Sequence, residues 1–324
     1  MTIFYRWSAL YVVAGMVFVL LVRDDPGAMA RQMLASIPSQ FMRFYTLGGI
    51  LLIPLAAALY LMWKRGLKDR WQTVVGTLIA CTFVTMMFPM VKASLPYAVP
   101  FWADPLLADV DRVLHFGVAP WVPAHNLFGD VPWVVTDLLY AVFWMFPATY
   151  LPFLLAVFDA NHARVVRFSL IYLATFFLLG NVMAGLFMSG GPIYYDRLVG
   201  GDAFADLVAI FESGARGETL TSNLQGLLWT AYAEGEQKFG SGISAFPSVH
   251  VAMTALWALY LAEVSRKLLP LSIALVLIYQ VFSVFLGWHY AVDGYASILV
   301  ILALWALTRK SGQETNVATQ LTPT

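Results

Sequence analysis

Ala245-Phe246-Pro247-Ser248-Val249-His250 and, further along, Gly287-Trp288-His289-Tyr290-Ala291-Val292-Asp293 mark the starts of two long apolar runs. The chain has only five histidines in 324 residues. Two of them, His250 and His289, lie at these starts, and Asp293 follows the second by one helical turn. Polar groups at membrane depth are costly, and they commonly mark function. The two stretches therefore predict both where membrane helices begin and where chemistry takes place.

The composition sets the fold class. Hydrophobic residues make up 60% of the chain and charged residues 12%, whereas a soluble domain is about a quarter charged. The mean hydropathy is +0.73, and many apolar runs have the length of a membrane-spanning helix. We expect an all-α, polytopic helical membrane protein. The zero net charge and the absence of a dense basic cluster argue against a nucleic-acid partner. The single cysteine, Cys81, excludes an intramolecular disulfide.

The apolar runs predict about eight membrane spans. Approximate bounds for these spans are Phe4–Val22, Phe44–Trp63, Trp71–Val91, Val131–Phe158, Phe168–Met188, Val249–Glu263, Leu268–Phe285 and Tyr290–Thr308. The fourth run is long, and its two prolines, Pro147 and Pro152, favour a kink. The first run also has features of a cleavable signal peptide, with Ala28-Met29-Ala30 as the cleavage site, although Arg23, Asp24 and Asp25 interrupt the approach to it.

The distribution of Lys and Arg predicts the orientation. Positive charges are concentrated in short segments on the side that carries Arg6, the 64–70 loop and the 309–310 pair, whereas those on the other side are spread over long loops. Short, positively charged loops are typically cytoplasmic. Both termini are then cytoplasmic, and His250 and His289 both fall on the extracytoplasmic face, which is periplasmic if the protein belongs to a bacterial inner membrane.

These residue types fit nucleophilic chemistry on phosphorus. His289 and Asp293 are four residues apart, so on a helix that begins near Trp288 they share a face. A carboxylate there accepts the N–H of one ring nitrogen and leaves the other free to attack, as in a catalytic triad. His250 comes from another helix start and is placed to protonate a leaving alkoxide. Two alternatives remain: a zinc or iron site formed by the same three residues, and interfacial histidines bonded to backbone carbonyls.

A phosphate also needs donors. Pro247-Ser248 suits the start of a helix, whose free amides and dipole favour an anion, and the Ser248 hydroxyl adds a donor. The small segment Ser241-Gly242-Ile243-Ser244 precedes it. The Ser189-Gly190-Gly191-Pro192 segment breaks an apolar run on the same side, so Gly191 and Pro192 are expected to bring a second set of backbone amides to the phosphate.

Pro247-Ser248-Val249-His250 followed by His289-x3-Asp293 resembles the second and third signature motifs of the type-2 phosphatidic acid phosphatase superfamily. The resemblance covers about the last 140 residues. It implies a six-helix core formed by the third to eighth spans, with no metal and no cofactor. It also implies that His289 is the nucleophile, Asp293 its orienting carboxylate, His250 the acid for the leaving group and Ser248 a phosphate donor.

The chain departs from the phosphatases of that superfamily at three positions. Gly191, Ala184 and Ser283 stand where the phosphatases have an arginine, a lysine and a second arginine. Losing guanidinium groups removes strong bidentate phosphate contacts. In this respect the pattern is similar to the inositol phosphorylceramide synthase branch, whose members transfer a phospho-headgroup between lipids in sphingolipid metabolism. Lys92 and Arg197 are candidates to supply the missing positive charge.

The resemblance and the spans together divide the chain into three parts. Residues 1–70 carry two transmembrane helices, residues 71–308 form the catalytic membrane domain, and residues 309–324 form a disordered cytoplasmic tail. The expected function is headgroup transfer through a phosphohistidine, with membrane lipids as donor and acceptor. The alternatives are a phosphatase that hydrolyses phosphatidic acid or polyprenyl pyrophosphate, and a non-catalytic transporter or scaffold. Two further features need an explanation: Asp137 inside the fourth span, and a short predicted helix over Leu220–Ala233 that is placed to act as a lid.

Overall fold

The computed structural model describes residues 1–32, 34–35, 38, 60, 70–212, 219–236 and 242–320. The regular elements in this part of the chain are helices, which confirms the all-α fold class. The predicted span Phe44–Trp63 lies outside the described residues. The α-helices are α1 (Thr2–Val22), α2 (Trp71–Ala98), α3 (Asp104–Leu114), α4 (Trp121–Phe128), α5 (Trp133–Asp137), α6 (Trp144–Phe158), α7 (His162–Ala174), α8 (Ala184–Leu186), α9 (Tyr195–Leu198), α10 (Ala205–Glu212), α11 (Leu220–Ala233), α12 (Val249–Val264), α13 (Leu269–Phe285) and α14 (Ala291–Gln320).

Five helical stretches in the described residues are long and apolar enough to cross a membrane, and a bent pair makes a sixth. This confirms a polytopic helical membrane protein. The five are Thr2–Val22, Trp71–Ala98, His162–Leu186, Arg266–Phe285 and Ala291–Arg309. Helix α12 is apolar but has only 16 residues, so it is about 24 Å long, shorter than the ~30 Å hydrocarbon core.

The predicted kink in the fourth run is present. Trp133–Phe143 and Pro147–Phe158 meet at 54°. Proline inside a helix removes a backbone donor and clashes with the preceding turn, and Pro147 lies at the bend while Pro152 follows within α6. The six residues Leu138–Phe143 between α5 and α6 are π-helical. Such wide turns are frequent at functional sites, and this one carries Tyr140 to the site.

Small residues let the membrane helices pack closely. Helix α1 packs along α2, α2 along α6, and α12 against both α13 and α14. A Cβ on Gly15 of α1 would lie 2.7 Å from the Met87 side chain, and one on Gly180 would lie 2.5 Å from the Phe88 ring. Glycine at these crossings allows the backbones to approach, as in other membrane helix pairs. The described residues form two large apolar clusters, one around Phe168 and Tyr172 and the other around Phe285 and Tyr290.

Two ion pairs hold the end of the bundle opposite to His250. The Arg164 guanidinium donates to both carboxylate oxygens of Asp159, at 2.6 and 2.8 Å. Arg167 pairs with Glu263, whose other oxygen accepts from the Trp305 indole. Paired charges are the form in which ionisable groups are tolerated near a membrane interior.

The backbone of the last helix is helical as far as Gln320. Extending an existing helix requires no new nucleation. The division of the chain into residues 1–70, 71–308 and 309–324, with the last part as a disordered tail, stays a prediction.

Asp137 caps a helix. Its carboxylate accepts hydrogen bonds from the backbone amides of Leu220 and Thr221, at 2.9 and 3.3 Å, and from the Thr221 hydroxyl at 2.5 Å. These groups belong to the first turn of α11, whose amides have no partner within the helix. The carboxylate therefore accepts the otherwise unpaired amides at the start of α11 and links this helix to α5.

Replacing Asp137 by alanine should loosen α11, because losing a helix-capping side chain costs about 0.5–2 kcal/mol. We expect limited proteolysis to cut the 219–236 segment faster in Asp137→Ala than in the wild-type protein. Asp130→Ala is the matched control, since Asp130 is exposed. Equal cleavage rates in the two variants would show that α11 is held by other contacts.

Candidate active site

The cavity at the centre of the site has a volume of about 280 Å³. It opens where α12 begins, and α11 covers it with Leu224, Leu227 and Leu228. Its polar lining includes Lys92, Ser244, His250 and His289. Side chains from α2, from the 242–250 segment and from the turn before α14 thus meet in one cavity. The structure places both histidines at the same end of the bundle, as a shared site requires.

His289 and Asp293 form a buried hydrogen-bonded pair. His289 lies in the turn between α13 and α14, and Asp293 in the first turn of α14. The ring Nδ1 is 3.2 Å from the Asp293 Oδ2, and the same oxygen accepts the Tyr290 amide at 3.1 Å. A carboxylate only accepts, so it selects the tautomer with hydrogen on Nδ1. The second ring nitrogen is left with a lone pair, as a nucleophile requires.

Burial lowers the pKa of His289 from its ordinary value to about 3. The positive charge of Lys92 adds to the shift, and the Ala245 backbone opposes it by favouring the protonated ring. A histidine with a lowered pKa stays neutral at physiological pH. The imidazole is therefore in the form that can attack phosphorus.

His250 is held between two aromatic rings. Its imidazole stacks on the Trp144 ring at 3.8 Å and on the Tyr140 ring at 4.5 Å, both measured between ring centroids. The Trp144 indole also donates to the His250 carbonyl at 3.0 Å. The centroid of the His250 ring is 6.5 Å from that of His289. This spacing leaves room for a phosphoryl group between the two rings.

Lys92 is a cation without an anionic partner. It lies on α2, lines the cavity with both histidines, and makes no hydrogen bond or ion pair with a residue that the structure describes. The Gly242 segment crosses directly over it: a Cβ on Gly242 would lie 2.8 Å from the Ala93 amide nitrogen and 3.1 Å from the Lys92 carbonyl carbon. Lys92 is half-buried, and an ammonium group that is partly removed from water without a counterion is costly, so the cavity is electrostatically suited to an anion.

A family model described as the PAP2 superfamily matches residues 105–307 of the chain. The chain belongs to the PAP2 superfamily. Comparison with curated proteins and with solved structures finds no match. Membership makes the protein a membrane enzyme of the lipid phosphatase or phosphotransferase type and implies a histidine-dependent reaction. The matched region contains His250, His289 and Asp293.

In this PAP2 superfamily chain, Ser248 is buried and caps α12. Its hydroxyl oxygen accepts the Val251 amide at 3.3 Å, which is the usual role of serine before a helix. Its own carbonyl accepts from Ser297 on α14 at 2.9 Å. Ser248 therefore joins α12 to α14, and its hydroxyl is not among the groups that line the cavity. The amides of Val249 and His250 have no partner in the described part of the chain, so they can donate to an anion.

The Gly190-Gly191 amides do not face an empty phosphate site. Asp104 accepts both of them, at 2.8 Å from Gly190 and 2.9 Å from Gly191, and also the Tyr290 hydroxyl at 2.9 Å. The expected second set of free amides at Gly191 and Pro192 is therefore replaced by an internal carboxylate. Pro192 is buried at the start of a 3₁₀ turn, outside the cavity.

Arg197 does not reach the cavity either. Its side chain is exposed and pairs with Glu212 at 3.2 Å. Of the two cations expected to replace the missing arginines, the structure brings only Lys92 to the histidines.

Two site residues, Asp104 and Asp111, are missing from the sequence-based prediction. Asp111 accepts the amides of Ala291 and Val292, each at 2.9 Å, and so caps α14 beside Asp293. Both aspartates lie on α3, two turns apart and therefore on one face. That spacing in an amphipathic segment is a signal that sequence reasoning could have used. The spacing does not reveal which backbone amides the two aspartates bind, because those amides lie far along the chain.

Gly191 adopts a backbone conformation that a side chain would obstruct. Its φ is +89°, and a Cβ would lie 2.4 Å from the Trp288 carbonyl oxygen. Trp288 directly precedes His289. We expect Gly191→Ala to displace this turn and to remove turnover of a lipid phosphate, measured on purified protein. Gly200→Ala is the matched control, because Gly200 has a φ of +94° with nothing within 4 Å. Equal activity in both variants would contradict the close packing at Trp288.

Proposed function

We propose that this enzyme transfers a phospho-headgroup from one lipid to the hydroxyl of another through a phosphohistidine on His289, as in the inositol phosphorylceramide synthase branch. The observation that carries the proposal is the charge of the cavity. Lys92 is the one cation among its lining residues in the described part of the chain, and a side chain at Gly191 is sterically excluded. A phosphodiester carries one negative charge, so it needs fewer cations than a phosphomonoester.

The first step forms the phosphohistidine. The free ring nitrogen of His289 attacks phosphorus, and the bond from phosphorus to the departing lipid oxygen breaks. His250, protonated in the substrate complex, gives its proton to that oxygen, and the lipid alcohol leaves. Asp293 keeps the Nδ1 hydrogen in place and offsets the positive charge that develops on the His289 ring.

The second step regenerates the enzyme. His250, now neutral, takes the proton of the acceptor hydroxyl as its oxygen attacks phosphorus, and the bond from phosphorus to His289 breaks. The new phosphodiester leaves, and both histidines return to their starting forms. Lys92 and the free amides of Val249 and His250 are the donors that would hold the phosphoryl oxygens in both steps.

The proposed setting is the extracytoplasmic membrane surface. The distribution of Lys and Arg supports this placement, with the donor and acceptor lipids reaching the cavity from the adjoining leaflet. Helix α11 covers the cavity and would control which acceptor enters. The residues that carry out the chemistry come from the chain itself, with no cofactor.

Incubation of the purified protein with a panel of phospholipids, followed by mass spectrometry, tests transfer against hydrolysis. Transfer predicts a new phosphodiester when a lipid alcohol is added, with little inorganic phosphate. Release of phosphate from phosphatidic acid or polyprenyl pyrophosphate without an acceptor would instead identify a phosphatase. His289→Ala should lower turnover by several orders of magnitude in either case, because the nucleophile is lost. Unchanged function in His289→Ala would favour a transporter or scaffold.

The Lys92 charge should be visible in the pH dependence. Because Lys92 lowers the pKa of His289, Lys92→Gln should raise that pKa toward its ordinary value. His289 then becomes protonated at a higher pH, and the acid limb of kcat/KM moves upward, as this parameter follows the free enzyme. Lys267→Gln, an exposed lysine between α12 and α13, is the control. An unmoved acid limb in Lys92→Gln would show that the two groups are not coupled.

A further inference from the structure

The cavity has two unlike ends. Lys92, His250 and His289 form the polar end, and the lining then continues along α2 and α6 and past Phe176, which follows α7, with mainly apolar side chains. Thr85, at the inner end, precedes Lys92 by two helical turns and so lies about 10 Å deeper. Its hydroxyl is bonded to the Cys81 carbonyl of its own helix at 2.8 Å, so it offers the cavity its methyl group.

Packed side chains border the inner end. The Phe88 and Phe176 rings, which both line the cavity, lie with their centroids 4.7 Å apart. Ala148 is 1% exposed, and the fully buried Tyr172 donates to the carbonyl of the neighbouring Thr149 at 2.6 Å. These groups form a packed floor next to Thr85 and Ala148.

We propose that this inner part of the cavity binds one alkyl chain of the donor lipid, and that the floor at Thr85 and Ala148 sets the length of chain that fits. An unpaired ammonium group and a nucleophile at one end, continuous with an apolar inner end, match an anionic head joined to a single alkyl chain. The inference rests on the proposed function in placing the donor phosphorus at His289. It adds a specificity determinant that the transfer chemistry does not require.

Binding of n-alkylphosphonates from two to twelve carbons to the purified full-length protein tests the inference, with isothermal titration calorimetry as the measurement. A phosphonate has no ester bond to the chain, so binding is measured without turnover. We expect Kd to fall about fourfold for each added methylene until the chain reaches the floor, and then to level off.

Two variants should shorten the alkyl chain at which Kd stops falling, which we call the break. Thr85→Leu and Ala148→Leu fill the floor from different helices, so the plateau should begin at a shorter chain. The ratio of the butyl to the decyl Kd should fall on the order of tenfold in each, since two or more methylenes no longer fit. Ala303→Leu, on the exposed face of α14, should leave that ratio unchanged. If Ala148→Leu does not fold, Thr85→Leu decides.

Other outcomes overturn the inference. A ratio that is unchanged in Thr85→Leu, or lowered equally in Ala303→Leu, would place the chain on the lipid-facing surface or in detergent. A break found with n-alkanols but not with phosphonates would assign the cavity to the acceptor. If the protein turns over a lipid in the panel but the floor variants do not shift the break, only the inference about chain length is refuted. If the floor variants shift the break but the protein turns over no lipid in the panel, only the proposed function is refuted.

Discussion

Hydrogen bonds from loop and helix-start amides to buried carboxylates hold together the end of this protein that carries the candidate site. Asp104 accepts the Gly190 and Gly191 amides, Asp111 accepts those at the start of α14, and Asp137 accepts those at the start of α11. An amide buried away from water without a partner is costly, and the cost is greatest near the membrane interior. The carboxylates remove that cost, so the turn that carries His289 can be buried and rigid.

The same constraint separates this site from one built to hold a highly charged phosphate. Amides that could have faced a ligand at Gly190 and Gly191 are already bonded to Asp104, and an added anion there would meet a like charge. The amides of Val249 and His250 remain without partners, next to Lys92. The positive potential is therefore limited and confined to one side of the cavity. This arrangement is why we propose a weakly charged headgroup rather than a phosphomonoester.

Sequence reasoning predicted the elements that depend on local patterns. Apolar runs gave the helices, Pro147 gave a bend in the fourth run, and the spacing of His289 and Asp293 gave a hydrogen-bonded pair. It failed where a group is satisfied by a distant partner. Ser248 bonds to its own helix rather than lining the cavity, and Asp104 binds amides that were expected to bind phosphate. Such pairings depend on tertiary contacts between α3 and loops far along the chain, which no local pattern encodes.

The stacking of His250 also follows from tertiary structure, and it bears on the acid–base role. Tyr140 and Trp144 reach opposite faces of the ring because a π-helical turn and a bend carry them there. Rings on both faces fix the plane of the imidazole, so its nitrogens can exchange protons only along that plane. A histidine that must give a proton in one step and take one in the next needs a constant orientation. In the proposed mechanism, the kink in the fourth run is thus part of the geometry that orients His250.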